Sequence, residues 1–377
     1  MKAKNPRFDI ISVFLFMICL FIMFLNVNRI KTSNKNLLHL QNTNILPSFS
    51  ELHNANVFTN IEHKKNDIQP MCSSLQNFKI VLDGTTLVSF PDQSMFTKIA
   101  NSQSTINGEL DSTTMNSFNW FTTSLNKWEI STFLVFKALI KPHMIYIGFG
   151  EWIGPTILYS SQLAKKSYGL EPDNNAFKSL AMNAYANNCF DNKLNIFPYC
   201  IYSTSGSFQL KDAIGGSGAS LKQNADDIGF SGGNFQSTTC FTLQNFLEME
   251  NLINEHLFIK VDTEGTEADL FESFSILLPK LKYKPIWYIS KHANDKYDNI
   301  NLKKEILKFA NNFKCAKAAT ASHLTLWNSD SLNQYSVMNL PSIDIDSILS
   351  ESNPDWILAD YDCKLIDKWI NEAKIHF

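Results

Sequence analysis

The chain has 377 residues and a formal net charge of −3, from 33 Lys and Arg against 36 Asp and Glu. That length accommodates a full catalytic domain with roughly 100 residues to spare. With no long basic block and no aromatic ladder in a basic setting, the chain lacks the electrostatic footprint of a nucleic-acid binder, and nucleic acid is not expected among its partners.

Residues 1–9 form a short N-terminal tail. The run Ile10 to Leu25 is apolar except for Ser12, and Val27 extends it. It is shorter than the ~20 residues of an ideal membrane span and close to the lower limit of ~17. Lys2, Lys4 and Arg7 precede it and Arg29, Lys31 and Lys35 follow, so positive charge does not orient it. The continuation Asn26-Val27-Asn28-Arg29-Ile30 lacks the small-residue site of a cleaved signal peptide. Residues 10–27 are therefore read as an uncleaved transmembrane signal anchor, which makes the chain a single-pass, type II protein of a secretory-pathway membrane. Cys19 lies in that run. Cys72, Cys189, Cys200, Cys240, Cys315 and Cys363 show no C-x-x-C spacing and no accompanying His cluster, so no metal is expected. They permit disulfides in a secretory lumen and equally fit buried thiols. No N-x-[ST] sequon occurs.

Residues 28–75 are polar, rich in Asn, Ser, Lys and His, and read as a flexible stem. Residues 76–127 form an extension with short apolar runs (Ile80 to Leu82, Leu87-Val88) broken by Gly, Asn and Ser. Trp128 to Ile140 has helical periodicity, through Ile130, Phe133, Leu134 and Phe136. From there strands and helices alternate. A strand is predicted at Met144–Phe149, a helix at Pro155–Lys165, a strand at Tyr168–Leu170, a helix at Ala176–Asn187 and a strand at Leu194–Tyr202. Further strands are predicted at Ser207–Leu210, Leu257–Val261 and Ile286–Ser290, then a helix at Leu302–Phe313 and a terminal hairpin around Ala316–Trp327. This alternation predicts an α/β domain over residues 128–377 with a mostly parallel, doubly wound sheet.

Two motifs carry chemistry. In Ile145-Tyr146-Ile147-Gly148-Phe149-Gly150-Glu151-Trp152-Ile153-Gly154 a strand runs into a glycine-rich turn and then a helix. Glycines let the backbone approach a ligand, and the helix N-terminus offers free N–H donors. Seventeen residues after Gly154, Glu171 ends the next strand, where an acid serves the ribose hydroxyls of a nucleotide cofactor. The second motif is Lys260-Val-Asp262-Thr-Glu264-Gly-Thr-Glu267, in which a β-type run ends in three carboxylates and a helical pattern follows. Asp262 then stands at the carboxyl edge of the sheet, and Glu264 and Glu267 share the first turn of the helix, where acids also suit the helix dipole. A nicotinamide enzyme would need a proton relay, and no Tyr-x-x-x-Lys pair occurs downstream. A methyltransferase would use both motifs.

In order, the glycine-rich turn, Glu171-Pro172-Asp173, Leu180-x-x-Asn183-x-x-x-Asn187, Gly-Ser-Gly-Ala-Ser at 216–220, Thr242-Leu243 and the Lys260–Glu267 string resemble the FkbM family of S-adenosylmethionine-dependent methyltransferases over residues 128–292. The resemblance implies a class I methyltransferase fold, S-adenosyl-L-methionine as cofactor, and transfer to a hydroxyl oxygen of a small molecule or, as the expected acceptor, a glycan. It also implies that Gly148, Gly150, Glu151, Gly154, Glu171 and Asp262 border the cofactor. Asp262, Glu264 and Glu267 would lie at the active edge, with His292, just past the next strand, as general base and Asp262 as the alternative base or orienting group. The family carries an aspartate where this chain has Gly148. Glu151 could supply that carboxylate from another backbone position; failing that, the chain would be an inactive, methyltransferase-fold scaffold.

Overall fold

A computed structural model describes residues 79–108, 112–187, 193–211, 220–222, 235–290, 304–320, 336–339 and 355–374. The expected anchor and stem lie outside these residues, as do His292 and residues 216–219. Among the described residues no helix is long and apolar enough to cross a membrane.

The extension contains two small antiparallel pairs. β1 (Ile80–Val81) pairs with β4 (Thr105–Ile106), and β2 (Thr85–Ser89) with β3 (Phe96–Ala100). Helix α1 (Ser112–Thr123) follows. The α/β domain runs α2 (Ile130–Leu139), β5 (Ile145–Phe149), α3 (Pro155–Leu163), β6 (Lys166–Leu170), α4 (Asn174–Ala186) and β7 (Leu194–Phe197). A side sheet comprises β8 (Cys200–Ile201), β9 (Gly206–Lys211), β10 (Ser220–Lys222) and β11 (Phe235–Phe241). Then come α5 (Leu243–Met249), β12 (Leu257–Val261), α6 (Glu267–Leu277), β13 (Ile286–Ile289), β14 (Cys315–Thr320), β15 (Ser336–Asn339), β16 (Asp355–Ala359) and α7 (Cys363–Lys374).

The main sheet has the order β15-β14-β16-β13-β12-β5-β6-β7. Strands β7, β6, β5, β12 and β13 are mutually parallel, while β16 enters antiparallel between β13 and β14. This is a class I, Rossmann-like sheet. Every residue of β5, β12 and β13 is buried, as expected for parallel strands covered on both faces. Helix α2 is buried at nine positions, including Ser131 and Thr132, and it packs against α3 and α7. A helix buried nearly all round belongs to the core.

Asp173, Asn183, Asn187 and Thr242 of the resemblance motifs hold the frame together. Asp173 caps α4 by accepting from the Asn175 N–H at 2.8 Å, and Thr242 caps α5 by accepting from the Asn245 N–H at 3.1 Å. Asn183 donates to the Ile153 carbonyl at 3.1 Å and accepts from the Ala100 N–H at 3.3 Å, so it ties the glycine turn to β3 of the extension. Asn187 accepts from the Lys98 N–H at 2.9 Å.

The strand predicted over 194–202 and the terminal hairpin differ from expectation, and one helix is added. The single strand predicted over 194–202 is divided into β7 and β8, because Pro198 has no N–H to continue the ladder and β8 joins the side sheet instead. The terminal hairpin has its first strand as β14, paired antiparallel with β15 (Ser336–Asn339) and with β16; residues 321–327 of the hairpin lie outside the described residues. Helix α7 was not predicted. Cys315 of β14 and Cys363 of α7 form a disulfide, and Cys200 and Cys240 form a second between neighbouring strands.

Candidate active site

The chain turns to opposite sides of the sheet at β5 and β12, and ligands of open α/β sheets bind beyond the carboxyl ends of the strands at such a point. A cavity of about 430 Å³ lies there. Its lining brings together Gly150, Glu151, Glu171, Asp262 and Glu264 from the two sequence motifs.

The glycine turn is held down by the end of β6, since the N–H groups of Gly150 and Glu151 both donate to the Leu170 carbonyl. Gly150 has φ +72°, and any side chain there would run into the Asp262 backbone carbonyl. Gly148 is glycine for another reason. A methyl group at that position would coincide with the carboxylate of Glu151, which folds back over the strand. Glu151 is fully buried, accepting from Tyr146 Oη at 2.8 Å and from Thr156 Oγ1 at 2.7 Å. Burial raises its pKa, with Lys260, Thr156 and Tyr146 opposing. The Glu151 carboxylate thus fills the space that a side chain at 148 would take.

Glu171 is 6% exposed and occupies the end of β6. One carboxylate oxygen accepts from the Trp152 N–H at 2.7 Å and the other from the Asp173 N–H at 2.8 Å. It therefore fastens the glycine turn to the start of α4 while still lining the cavity. Burial pushes its pKa up to about 8, against the pull of those two N–H groups.

At the end of β12, Lys260 Nζ lies 2.6 Å from Asp262 Oδ2. Lys260 is 1% exposed. Burial lowers its pKa, but Asp262, Glu151 and Glu129 together outweigh burial and raise it, so the ammonium stays charged. Glu267 is turned away from the cavity. Its carboxylate accepts from the Thr263 N–H at 2.9 Å, Thr263 Oγ1 at 3.1 Å and the Gly265 N–H at 3.1 Å, bracing the loop that presents Asp262 and Glu264.

The rest of the wall was not read from the sequence. Trp120 of α1, Trp128 before α2 and Trp152 of the glycine turn line one side, with Trp120 in edge-on contact with both others at 5.2 and 4.9 Å between centroids. Cys200 of the disulfide, Leu210 and Leu221 bring the side sheet to the cavity. Glu129 adds a further carboxyl. Burial and Asp262 push its pKa up to about 8, while Lys260 holds it down. Glu129, Trp152 and Glu264 all have positive φ, at 42°, 48° and 55°. Each such non-glycine residue costs on the order of 1–3 kcal/mol, and such strain collects at functional sites. No local pattern marks Glu129 or the tryptophans, since they come from three separate segments. Lys260 had a signal: one charge inside the apolar strand Leu257–Val261.

The lining residues include Lys260 and the carboxyl groups of Glu129, Glu151, Glu171, Asp262 and Glu264, of which Asp262, Glu151 and Glu129 act on Lys260. A cavity of this size suits one small ligand.

No family model matches the chain, and no curated protein does. Solved structures similar to it include the methyltransferase FkbM from Methylobacillus flagellatus, at 15% identity and a TM-score of 0.32, covering 53% of this chain and 49% of that one. This chain thus matches about half the length of that protein. A SAM-dependent O-methyltransferase from Thermotoga maritima is similar at 11% identity and a TM-score of 0.31, over 72% of this chain and 91% of that one. A putative methyltransferase from Streptococcus mutans in complex with SAH is similar at 10% identity and a TM-score of 0.30, over 61% and 94%. At such values the likeness says nothing of this chain's chemistry.

Proposed function

We propose that the chain is an S-adenosylmethionine-dependent O-methyltransferase. One observation carries the reading: the glycine turn, Glu171 and Asp262 converge on one cavity at the switch point of the sheet. The residues present fit such a cofactor. Gly150 lets the glycine turn close against the Asp262 backbone, which brings both motifs to one cavity, and Glu171 stands where a ribose hydroxyl would donate. When bound, the cofactor supplies an electrophilic methyl carbon on a positively charged sulfur.

The protein's task is then alignment of a hydroxyl with that carbon and removal of its proton. Asp262, fixed by Lys260, orients the acceptor hydroxyl, and Glu264 borders the same space. His292, outside the described residues, is the general base, its ordinary pKa lying near neutral pH. The acceptor is a glycan or small-molecule hydroxyl. The tryptophan wall offers flat apolar faces for a sugar ring, and the surplus of carboxyls disfavours a phosphate backbone. The two disulfides favour an oxidising compartment, in keeping with residues 10–27 as a membrane anchor and the domain on the lumenal side.

Calorimetric titration of S-adenosylmethionine into the full chain tests the cofactor. Micromolar binding is expected, lost in Glu171→Ala. Binding unaffected by that change would place the cofactor elsewhere, and no binding at all would leave the fold as a scaffold. His292→Ala is expected to spare binding and to remove methyl transfer to a glycan acceptor; full turnover in that variant would end its assignment as base.

A further inference from the structure

Methyl transfer to a hydroxyl leaves one proton to be carried out of the cavity, and a hydrogen-bonded chain begins at its wall. Glu129 Oε2 accepts from Thr132 Oγ1 at 3.0 Å. Thr132 Oγ1 lies 2.8 Å from Tyr288 Oη, and Tyr288 Oη lies 2.5 Å from Asp355 Oδ2. Thr132 and Tyr288 are buried, whereas Asp355, at the start of β16, is only partly so. The chain thus leads from the cavity, through the core between α2 and β13, to a carboxyl with access to solvent.

Counting hydrogens gives the chain its meaning. Three oxygen–oxygen links need three hydrogens, and a threonine and a tyrosine supply one each. The third belongs to a carboxyl, because oxygens this close with no hydrogen between them repel. Glu129 and Asp355 therefore share one proton. With the proton on Asp355, all three hydrogens point toward Glu129, which is ionised; with it on Glu129, all three point toward Asp355. The charged groups facing Glu129 are Lys260 and Asp262 from β12 and Asp355 from β16, with Glu151 beside Lys260. Two carboxyls and one ammonium around it leave neither arrangement locked out.

We propose that Glu129, Thr132, Tyr288 and Asp355 form a one-proton relay by which the acceptor hydroxyl's proton leaves the active site. This deepens the methyl-transfer reading and rests on it. As the acceptor oxygen forms its bond to carbon, the carbon–sulfur bond breaks with its electron pair on sulfur. The O–H electrons stay on oxygen, and the proton passes by way of the base to ionised Glu129. The three hydrogens then each shift one link, and Asp355 gives up its own proton to water. One proton enters and one leaves, and return of the shared proton along the chain resets it.

The test begins with the full chain, free of ligand. Carboxyl carbons are titrated by 13C NMR and assigned with Glu129→Gln and Asp355→Asn. Glu129 is expected to titrate near 8, and to do so about one unit or more lower in Tyr288→Phe, where losing the shared proton no longer leaves a gap. Thr132→Val, cutting the chain one link earlier, is the second variant. A Glu129 titration unmoved by both overturns the relay. Next, S-adenosylmethionine is titrated at pH 7.5 in two buffers of different ionisation enthalpy. The relay predicts proton release on binding that is smaller in Tyr288→Phe by the share due to Glu129, Glu171 keeping its own, while affinity is kept. Binding without proton release in the wild-type chain overturns the relay alone. Absence of binding overturns the methyl-transfer reading, and with it the use assigned to the relay, even where the NMR coupling is present.

Discussion

At the level of single residues, Gly148 and Glu151 contend for one space. A side chain at 148 and the present position of Glu151 exclude each other. Gly148→Asp alone is expected to destabilise by about 1–3 kcal/mol, the usual cost of overpacking a filled site. Adding Glu151→Ala to it should recover most of that loss, because the new carboxylate then takes the vacated space between Tyr146 and Thr156. Chemical denaturation of the two variants decides this, and a double variant no more stable than the single one would show that the two positions are not interchangeable. Glu267 was grouped by sequence with the acids at the active edge, yet its carboxylate faces the loop N–H groups of Thr263 and Gly265. Glu267→Ala should cost about 1–3 kcal/mol through unsatisfied buried donors. Spacing alone could not separate Glu264 from Glu267, because three residues apart they share a helical face in any ideal first turn. What separates them is the positive φ at Glu264 and Gly265, which turns the backbone before α6 begins.

Among the elements, the disulfide between Cys315 and Cys363 joins β14 to the start of α7, and α7 covers the buried helix α2. The two cysteines are 48 residues apart in sequence. Replacing both by serine is expected to lower stability by about 2–4 kcal/mol, read as a lower denaturation midpoint with a slope no smaller than that of the wild-type chain. The disulfide between Cys200 and Cys240 stands at the cavity itself. Its reduction is expected to weaken cofactor binding more than it lowers global stability, whereas loss of the other bridge should do the reverse. Strands β5, β6 and β12 were legible from their apolar runs and the turns that end them. Helix α7 and strand β16 were not, because β16 is inserted antiparallel from the far end of the chain and its partners are chosen by the sheet edge left open at β13.

For the molecule as a whole, the raised carboxyls give stability a direction in pH. Glu171 has its pKa lifted by burial from the ordinary 4.5 to about 8. Between those values the native state holds a proton that the unfolded chain has given up, so the contribution falls as pH rises through this window and levels off above it. One such group changes stability by at most about 1.4 kcal/mol per pH unit. Urea unfolding at pH 5 and pH 8 should show the native state favoured at the lower pH, with the difference reduced in Glu171→Gln. An undiminished difference in that variant would assign the dependence to other groups.

By itself the sequence determined the alternating α/β plan, the turn between β5 and α3, and the acids at the ends of β6 and β12. Each of these is a local pattern: strand period, glycine placement, a charge at the end of an apolar run. Only the tertiary structure decided that Glu151 stands in for a side chain at 148, that Glu267 braces a loop, and that three tryptophans and Glu129 complete the cavity wall. It alone set Glu129 and Asp355, 226 positions apart in the chain, at the two ends of one hydrogen-bonded path. Contacts of that kind depend on which elements the closed core brings face to face, and no periodicity within a segment encodes its neighbour across the sheet.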